Sequence, residues 1–265
     1  MQEKGEHKSL NKKIMIMFIV LLCVVTVVLD VIIAKHKESF YLRIGLKTFQ
    51  QLCGAAVGVC ALRYLGAKLF RKAYNWLYLL PCLIIAIDNF QFGAFFNGRL
   101  QLVRTNAIDF ALFALNCMSV GLFEEIIFRG IVFSVLASRF TNDKRGFLKT
   151  YVVSSVVFGL AHLLNGFSMG TILQVGYTIL TGGLFAFCLI KTKNILCCAL
   201  VHGVYNFCGL LFDAQGLGNG IVFDTATVIT MLIVSVVVGI FVLYKVWTYS
   251  DTERAVLYRH LGIED

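Results

Sequence analysis

The stretch AIDFALFALNCMSVGLFEEIIFRGIVFSVL, residues 107–136, sets the class of this protein. It is apolar for longer than the roughly 20 residues that one helical crossing of a bilayer needs. Yet it holds two adjacent glutamates and, one helical turn on, an arginine: Glu124, Glu125 and Arg129. An ionisable side chain near the bilayer centre costs about 2.5–3.5 kcal/mol on insertion scales. Three together do not serve stability; they mark a site inside a helix that otherwise suits lipid.

The rest of the chain agrees with a membrane setting. Of its 265 residues 58% are hydrophobic and 15% charged, against about 25% charged in an average soluble domain. Apolar runs over 14–34, 48–66, 74–90, 107–136, 148–166, 170–190, 194–212 and 222–247 predict an all-α bundle of about eight transmembrane helices, one membrane domain over 1–265 with its polar motifs at 107–212. The first run has a basic flank like a signal peptide, but Asp30 precedes any cleavage site and the run is read as an anchor. With both termini cytoplasmic, 17 of the 24 Lys and Arg residues fall inside and six outside, leaving Arg129 in the membrane; short loops rich in these cations stay cytoplasmic. The net charge of +9 then reports topology and contact with anionic lipid, not nucleic acid. All nine cysteines lie in apolar runs without metal-ligand spacing and read as packing residues. Residues 35–47 and 248–265 suit short interfacial helices, and Asp213 to Gly220 a flexible external turn. No pattern specifies an oligomer.

Three polar sets stand on three helices, Glu124, Glu125 and Arg129; Phe158 and His162; His202 and Asn206, and within each set the residues four apart share one helix face. Glu125 and Arg129 are four apart with the acid first, the favourable direction for a helical ion pair. Glu124 lies about 100° around the helix, so Arg129 is expected to neutralise Glu125 and leave Glu124 for acid–base work. His202 and Asn206 present two donors to one point, which suits an oxyanion. Counted at 1.5 Å per residue from the cytoplasmic helix ends, Glu124 and His162 sit about 20 Å deep and His202 about 10 Å; a tilted or deeper seventh helix brings them together. Asn116 and Gln174 are candidates to line the same cavity.

Glu-Glu-x-x-x-Arg, Phe-x-x-x-His and His-x-x-x-Asn, in this order on separate helices, resemble the CAAX-type intramembrane proteases and the bacteriocin-processing and immunity enzymes, and the string Phe123 to Gly130 is similar to their bacterial branch. The resemblance implies that Glu124 and His162 activate water, that His202 and Asn206 hold the tetrahedral oxyanion, and that Glu125, Arg129 and Phe158 support the site. It implies an endopeptidase of the bacterial cytoplasmic membrane acting on a lipidated or membrane-associated peptide among membrane lipids. The alternative is a non-enzymatic protein of the same fold that confers bacteriocin immunity or modulates a membrane sensor. Glu124, His162 and His202 also make three possible ligands for a catalytic zinc. The His-Glu-x-x-His helix of zinc proteases is absent, and Asn206 suits an oxyanion better than a metal, so the expectation is no cofactor, with Zn2+ as the alternative.

Overall fold

The computed structural model describes residues 28, 29, 31–33 and 39–263. The first expected span, 14–34, with Asp30 and Cys23, lies almost wholly outside them, as do the N-terminal lysines. The remainder folds into ten α-helices with no strand among the described residues, only an isolated bridge between Leu102 and Gly218.

They are α1 (Phe40–Tyr64), α2 (Leu79–Asp88), α3 (Phe92–Phe96), α4 (Ala107–Glu125), α5 (Phe133–Arg139), α6 (Lys144–Ala161), α7 (Met169–Thr192), α8 (Ile195–Leu210), α9 (Thr225–Trp247) and α10 (Asp251–His260). The starts are written in short polar side chains. Ser39, Asn106, Asp143, Ser168, Asn194, Asp224 and Ser250 each accept a backbone N–H of the first turn, satisfying donors that a helix leaves open at its N-terminus. Lys193, in the left-handed region at φ 52°, ends α7 and folds the chain straight into α8.

α4 packs against α1 and α8, α6 against α7, and α2 against α8. The centre is the second half of α7, where every residue from 181 to 195 is buried; Phe185, Phe187, Leu189 and Ile190 are at most 1% exposed. Among the described residues three stretches are long and apolar enough to cross a membrane: Lys144–Leu164, Met169–Thr192 and Thr225–Trp247.

Several expectations change. The run 107–136 is not one helix but α4, a π-helix over Ile126–Val132, and α5. The third run shortens to a 3-10 turn and α2, Trp76–Asp88. Residues 40–47 belong to α1 and form no separate interfacial helix. α10 is docked rather than laid on an interface, with Leu257 and Tyr258 at 0% and 1% exposure. The Asp213–Gly220 turn is pinned, because Leu217 is buried and its carbonyl accepts from Val103 and Arg104 N–H. Asn116 donates to Thr48 Oγ1 between α4 and α1 instead of lining a cavity.

Candidate active site

The site is assembled where α4 opens into its π-helix. Such a segment closes i→i+5 rings and turns the residues after it out of α-helical register. It begins immediately after Glu125, so the two glutamates end a regular helix and Arg129 stands in a widened one. Arg129 Nε lies 3.1 Å from Glu125 Oε2, with the two side chains 2% and 0% exposed, the pairing that the four-residue spacing predicts. The guanidinium also donates from Nη2 to the Gly182 carbonyl at 2.9 Å and lies 4.1 Å over the Phe158 ring. A buried cation with ion-pair, hydrogen-bond and aromatic partners is held by all three.

Glu125 has a second partner across the helix interface. Its Oε1 accepts from His202 Nδ1 at 2.8 Å. A carboxylate only accepts, so Nδ1 carries the hydrogen and Nε2 is turned to the other side, where Glu124 Oε2 stands 3.8 Å away. That oxygen is buried without a hydrogen-bond partner among the described residues. The imidazole is stacked on Phe185 with centroids 4.5 Å apart and an interplanar angle of 19°. One histidine therefore bridges both glutamates. The depths counted from the sequence set His202 apart; the structure brings it to Glu124, while no ion pair or hydrogen bond joins Glu124 to His162 among the described residues.

Two glycines make this approach possible. A Cβ on Gly121 would lie 2.8 Å from both the Ala199 carbonyl oxygen and the Gly203 nitrogen, and one on Gly203 would lie 2.3 Å from Met118 Sδ. α4 and α8 thus meet backbone to backbone, as small residues allow in membrane helices. Gly121 is one turn before Glu125, and Gly203 follows His202. Neither glycine belongs to the three polar sets; a small residue one turn from an intramembrane charge was the available signal.

His162 begins a 3-10 turn, His162–Asn165, at the end of α6. Its Nδ1 donates to the Phe158 carbonyl at 3.0 Å, leaving Nε2 as an acceptor. The Phe158 ring packs edge-on against His162, His202 and Phe128, with centroids 5.1, 5.9 and 5.0 Å apart, so Phe158 is the packing hub of the site. Phe158, His162, His202, Asn206 and Gln174 all line one cavity of about 720 Å³, a size typical of sites that enclose a small ligand or short peptide. Glu124 lies behind His202 and is 25% exposed.

A zinc ion would need three donors around one point with an open fourth position. Among the described residues no three His, Cys, Asp and Glu side chains are grouped to hold a metal ion, although Nδ1 of His202 on Glu125 and Nδ1 of His162 on a carbonyl leave each Nε2 open, as in metal-ligating histidines. Glu124, His162 and His202 are not grouped around one point as placed here.

Residues 106–208 match the family described as type II CAAX prenyl endopeptidase Rce1-like. The matched segment runs from the cap of α4 into the last turn of α8 and contains Glu124, Glu125, Arg129, Phe158, His162, His202 and Asn206. It is the family the three motifs resemble. No curated protein and no solved structure matches the chain. The match and the long apolar helices together point to a multi-pass membrane protein whose residues 106–208 are similar to a family of endopeptidases.

Proposed function

We propose, starting from the Rce1-like character of residues 106–208, that the protein is an intramembrane endopeptidase that hydrolyses a peptide bond in a lipidated or membrane-associated peptide by activated water. The observation that carries this is Glu124 Oε2, buried without a hydrogen-bond partner among the described residues and 3.8 Å from Nε2 of His202, which lines an apolar cavity.

In this reading Glu124 takes the proton of the attacking water and returns it to the leaving nitrogen. His202 Nε2 accepts from the same water, held in that tautomer by Glu125, while Arg129 neutralises Glu125. His162 also lines the cavity, and with Nδ1 on the Phe158 carbonyl its Nε2 is left to orient the water in this reading. Asn206, one turn from His202 on α8, donates its amide to the oxyanion; such a donor is worth about 2.7–4 kcal/mol in the transition state. The change from the sequence reading is that His202 joins the water-activating group and Asn206 carries the oxyanion. The basic, short cytoplasmic loops support a bacterial cytoplasmic membrane with both termini inside.

Glu124→Gln and His162→Ala are each expected to lower cleavage of a reporter peptide by at least about 100-fold, the scale of a lost general base, with thermal unfolding in lipid unchanged. Full activity in both variants would replace the protease by the immunity or sensor-modulating scaffold. Elemental analysis of active protein tests for zinc: activity without stoichiometric metal excludes it, and one metal per active chain with loss on chelation establishes it.

A further inference from the structure

His202 has to be aimed as well as held. Its Nδ1–H bond to Glu125 sets the tautomer, but the torsion that turns an imidazole about its bond to Cβ has no sharp preference of its own. A turn of about 30° moves the line of the Nε2 lone pair by about 1 Å at hydrogen-bond range, and a misplacement of about that size can cost about 100-fold in rate. The ring plane therefore needs a second contact. Phe185 of α7 supplies it: the two rings are near parallel, 19° apart in plane with centroids at 4.5 Å, the close end of the range for offset-stacked rings. Phe158 reaches the same imidazole only edge-on, at 5.9 Å.

Phe185 is itself fixed from several sides. It is 1% exposed, with the rings of Phe158 and Tyr205 against it at 79° and 83°, both at 6.1 Å, and the Arg129 guanidinium 5.2 Å from its centroid. Its carbonyl accepts the thiol of Cys198, one turn before His202 on α8, at 3.7 Å, so ring and backbone both tie α7 to the helix that carries the imidazole. Phe187, two residues on, is 0% exposed but packs on Tyr78 and Phe241 and does not line the cavity.

We infer that Phe185 is a positioning residue for the reaction: its ring face fixes the plane of His202 and so the direction of Nε2, while Glu125 fixes which nitrogen carries the hydrogen. The inference rests on the endopeptidase reading and adds to it a residue of α7, on which none of the three polar sets stands. Phe185 acts by shape. An apolar side chain without a flat face, such as Leu or Met, fills much of the same space and leaves the imidazole free to turn. Because Phe185 also lines the cavity, positioning has to be told apart from contact with substrate: a lost substrate contact raises KM, whereas a misaimed Nε2 lowers kcat.

Purified full-length protein in phosphatidylethanolamine/phosphatidylglycerol vesicles is compared as wild type, Phe185→Leu and Phe187→Leu, the last a core substitution of the same kind two residues away, with rates taken per folded molecule. The substrate is a peptide found by mass spectrometry to be cut by the wild type. Phe185→Leu is expected to lower kcat by about 10- to 100-fold while KM stays within about threefold, and Phe187→Leu to change kcat by less than about threefold. In protein labelled with 15N-histidine, the Nδ1–H resonance of His202, assigned by its loss in His202→Gln, is expected to be sharp in the wild type and in Phe187→Leu, and broadened or lost in Phe185→Leu. Phe185→Met is read in the same way should the leucine variant not fold. An unchanged His202 resonance in Phe185→Leu, an equal fall of kcat in the two leucine variants, or a rise in KM at unchanged kcat overturns the inference. Cleavage by Glu124→Gln at the wild-type rate brings down the protease reading instead, and the resonance then decides by itself whether Phe185 sets the imidazole.

Discussion

Two ion pairs of nearly the same length sit in this molecule in opposite settings. Arg129 and Glu125 are 3.1 Å apart on one helix, 2% and 0% exposed. Lys191 and Glu253 are 3.2 Å apart and join the end of α7 to α10; Lys191 is 5% exposed, but Glu253 is 38% exposed. The first pair holds His202 and through it faces Glu124. The second holds a helix against the bundle, with Lys191 lying 5.2 and 4.6 Å over the rings of Tyr78 and Tyr249. Distance alone says nothing about what either pair does. What separates them is whether a partner left alone can reach water.

That difference is broken most severely at Arg129. Arg129→Met leaves Glu125 with no cation in the core, and removing one member of a buried pair typically costs about 3–5 kcal/mol. The folded yield and unfolding midpoint in lipid or mild detergent should fall accordingly, and activity with them. Arg129→Met combined with Glu125→Gln should recover part of the stability without recovering activity, because His202 then loses the carboxylate that sets its tautomer. If the double variant is as unstable as the single one, the cost lies in lost packing on Phe158 rather than in the orphaned charge.

A second substitution spares every charge and moves only their spacing. Gly121→Val places methyl groups against the Ala199 carbonyl and the Gly203 nitrogen, and overpacking of this kind costs about 1–3 kcal/mol. α8 has to move away from α4, taking His202 from both glutamates. Cleavage is expected to fall more than stability does. Gly45→Val on α1, where nothing lies within 4 Å of the added Cβ and which is away from the cavity, is the matched control for helix propensity. Equal activity loss in both variants would deny the α4–α8 contact its positioning role.

The sequence made the charges legible because lipid makes them costly. Three polar sets stand out from their apolar runs, and the four-residue spacing of Glu125 and Arg129 is enough to pair them. Their convergence was less legible. Depth counted from the cytoplasmic helix ends assumes that all helices begin level, but α8 starts inside the bundle: Ile195 is 0% exposed, its N–H donates to the Leu69 carbonyl, and the Asn194 amide reaches the Arg71 carbonyl. Residues 69–71 cover that end, so His202 is deeper than its count. The π-helix after Glu125 has no side-chain signature, since the same apolar residues suit either ring size. Nor does apolarity separate α7 from α9. Both are apolar along their length, yet residues 181–195 are buried all round while Leu232, Ile233, Val237 and Ile240 of α9 are more than half exposed; a lipid-facing and a core-facing helix can be equally apolar because the solvent is itself apolar.

The outer pair supplies the smallest effect and the cleanest test of the contrast. Replacing Lys191 by Met lets Glu253 relax into water, so the cost should stay within about 1 kcal/mol, as for other solvent-screened pairs. Its pH dependence has a definite sign. Burial pushes the Glu253 carboxyl upward, but the Ser250 N–H and Lys191 outweigh it and hold it below its ordinary value of 4.5. A carboxyl lowered on folding stabilises the docked helix above that value, and the contribution is lost as pH falls through the folded value. Hydrogen exchange of residues 251–260 should therefore be flat from pH 7 to 5, after correction for intrinsic rates, and rise below about 4.5. Glu253→Gln should remove that rise. Asp143 is also held low, by the Gly146 N–H and the Thr141 hydroxyl and less by Arg145 and Arg254; since Arg254 is on α10, the comparison is made in an Asp143→Asn background. A rise in α10 that persists in Glu253→Gln would move the anchoring of this helix from the ion pair to the burial of Leu257 and Tyr258, and the two pairs would then differ in kind and not only in exposure.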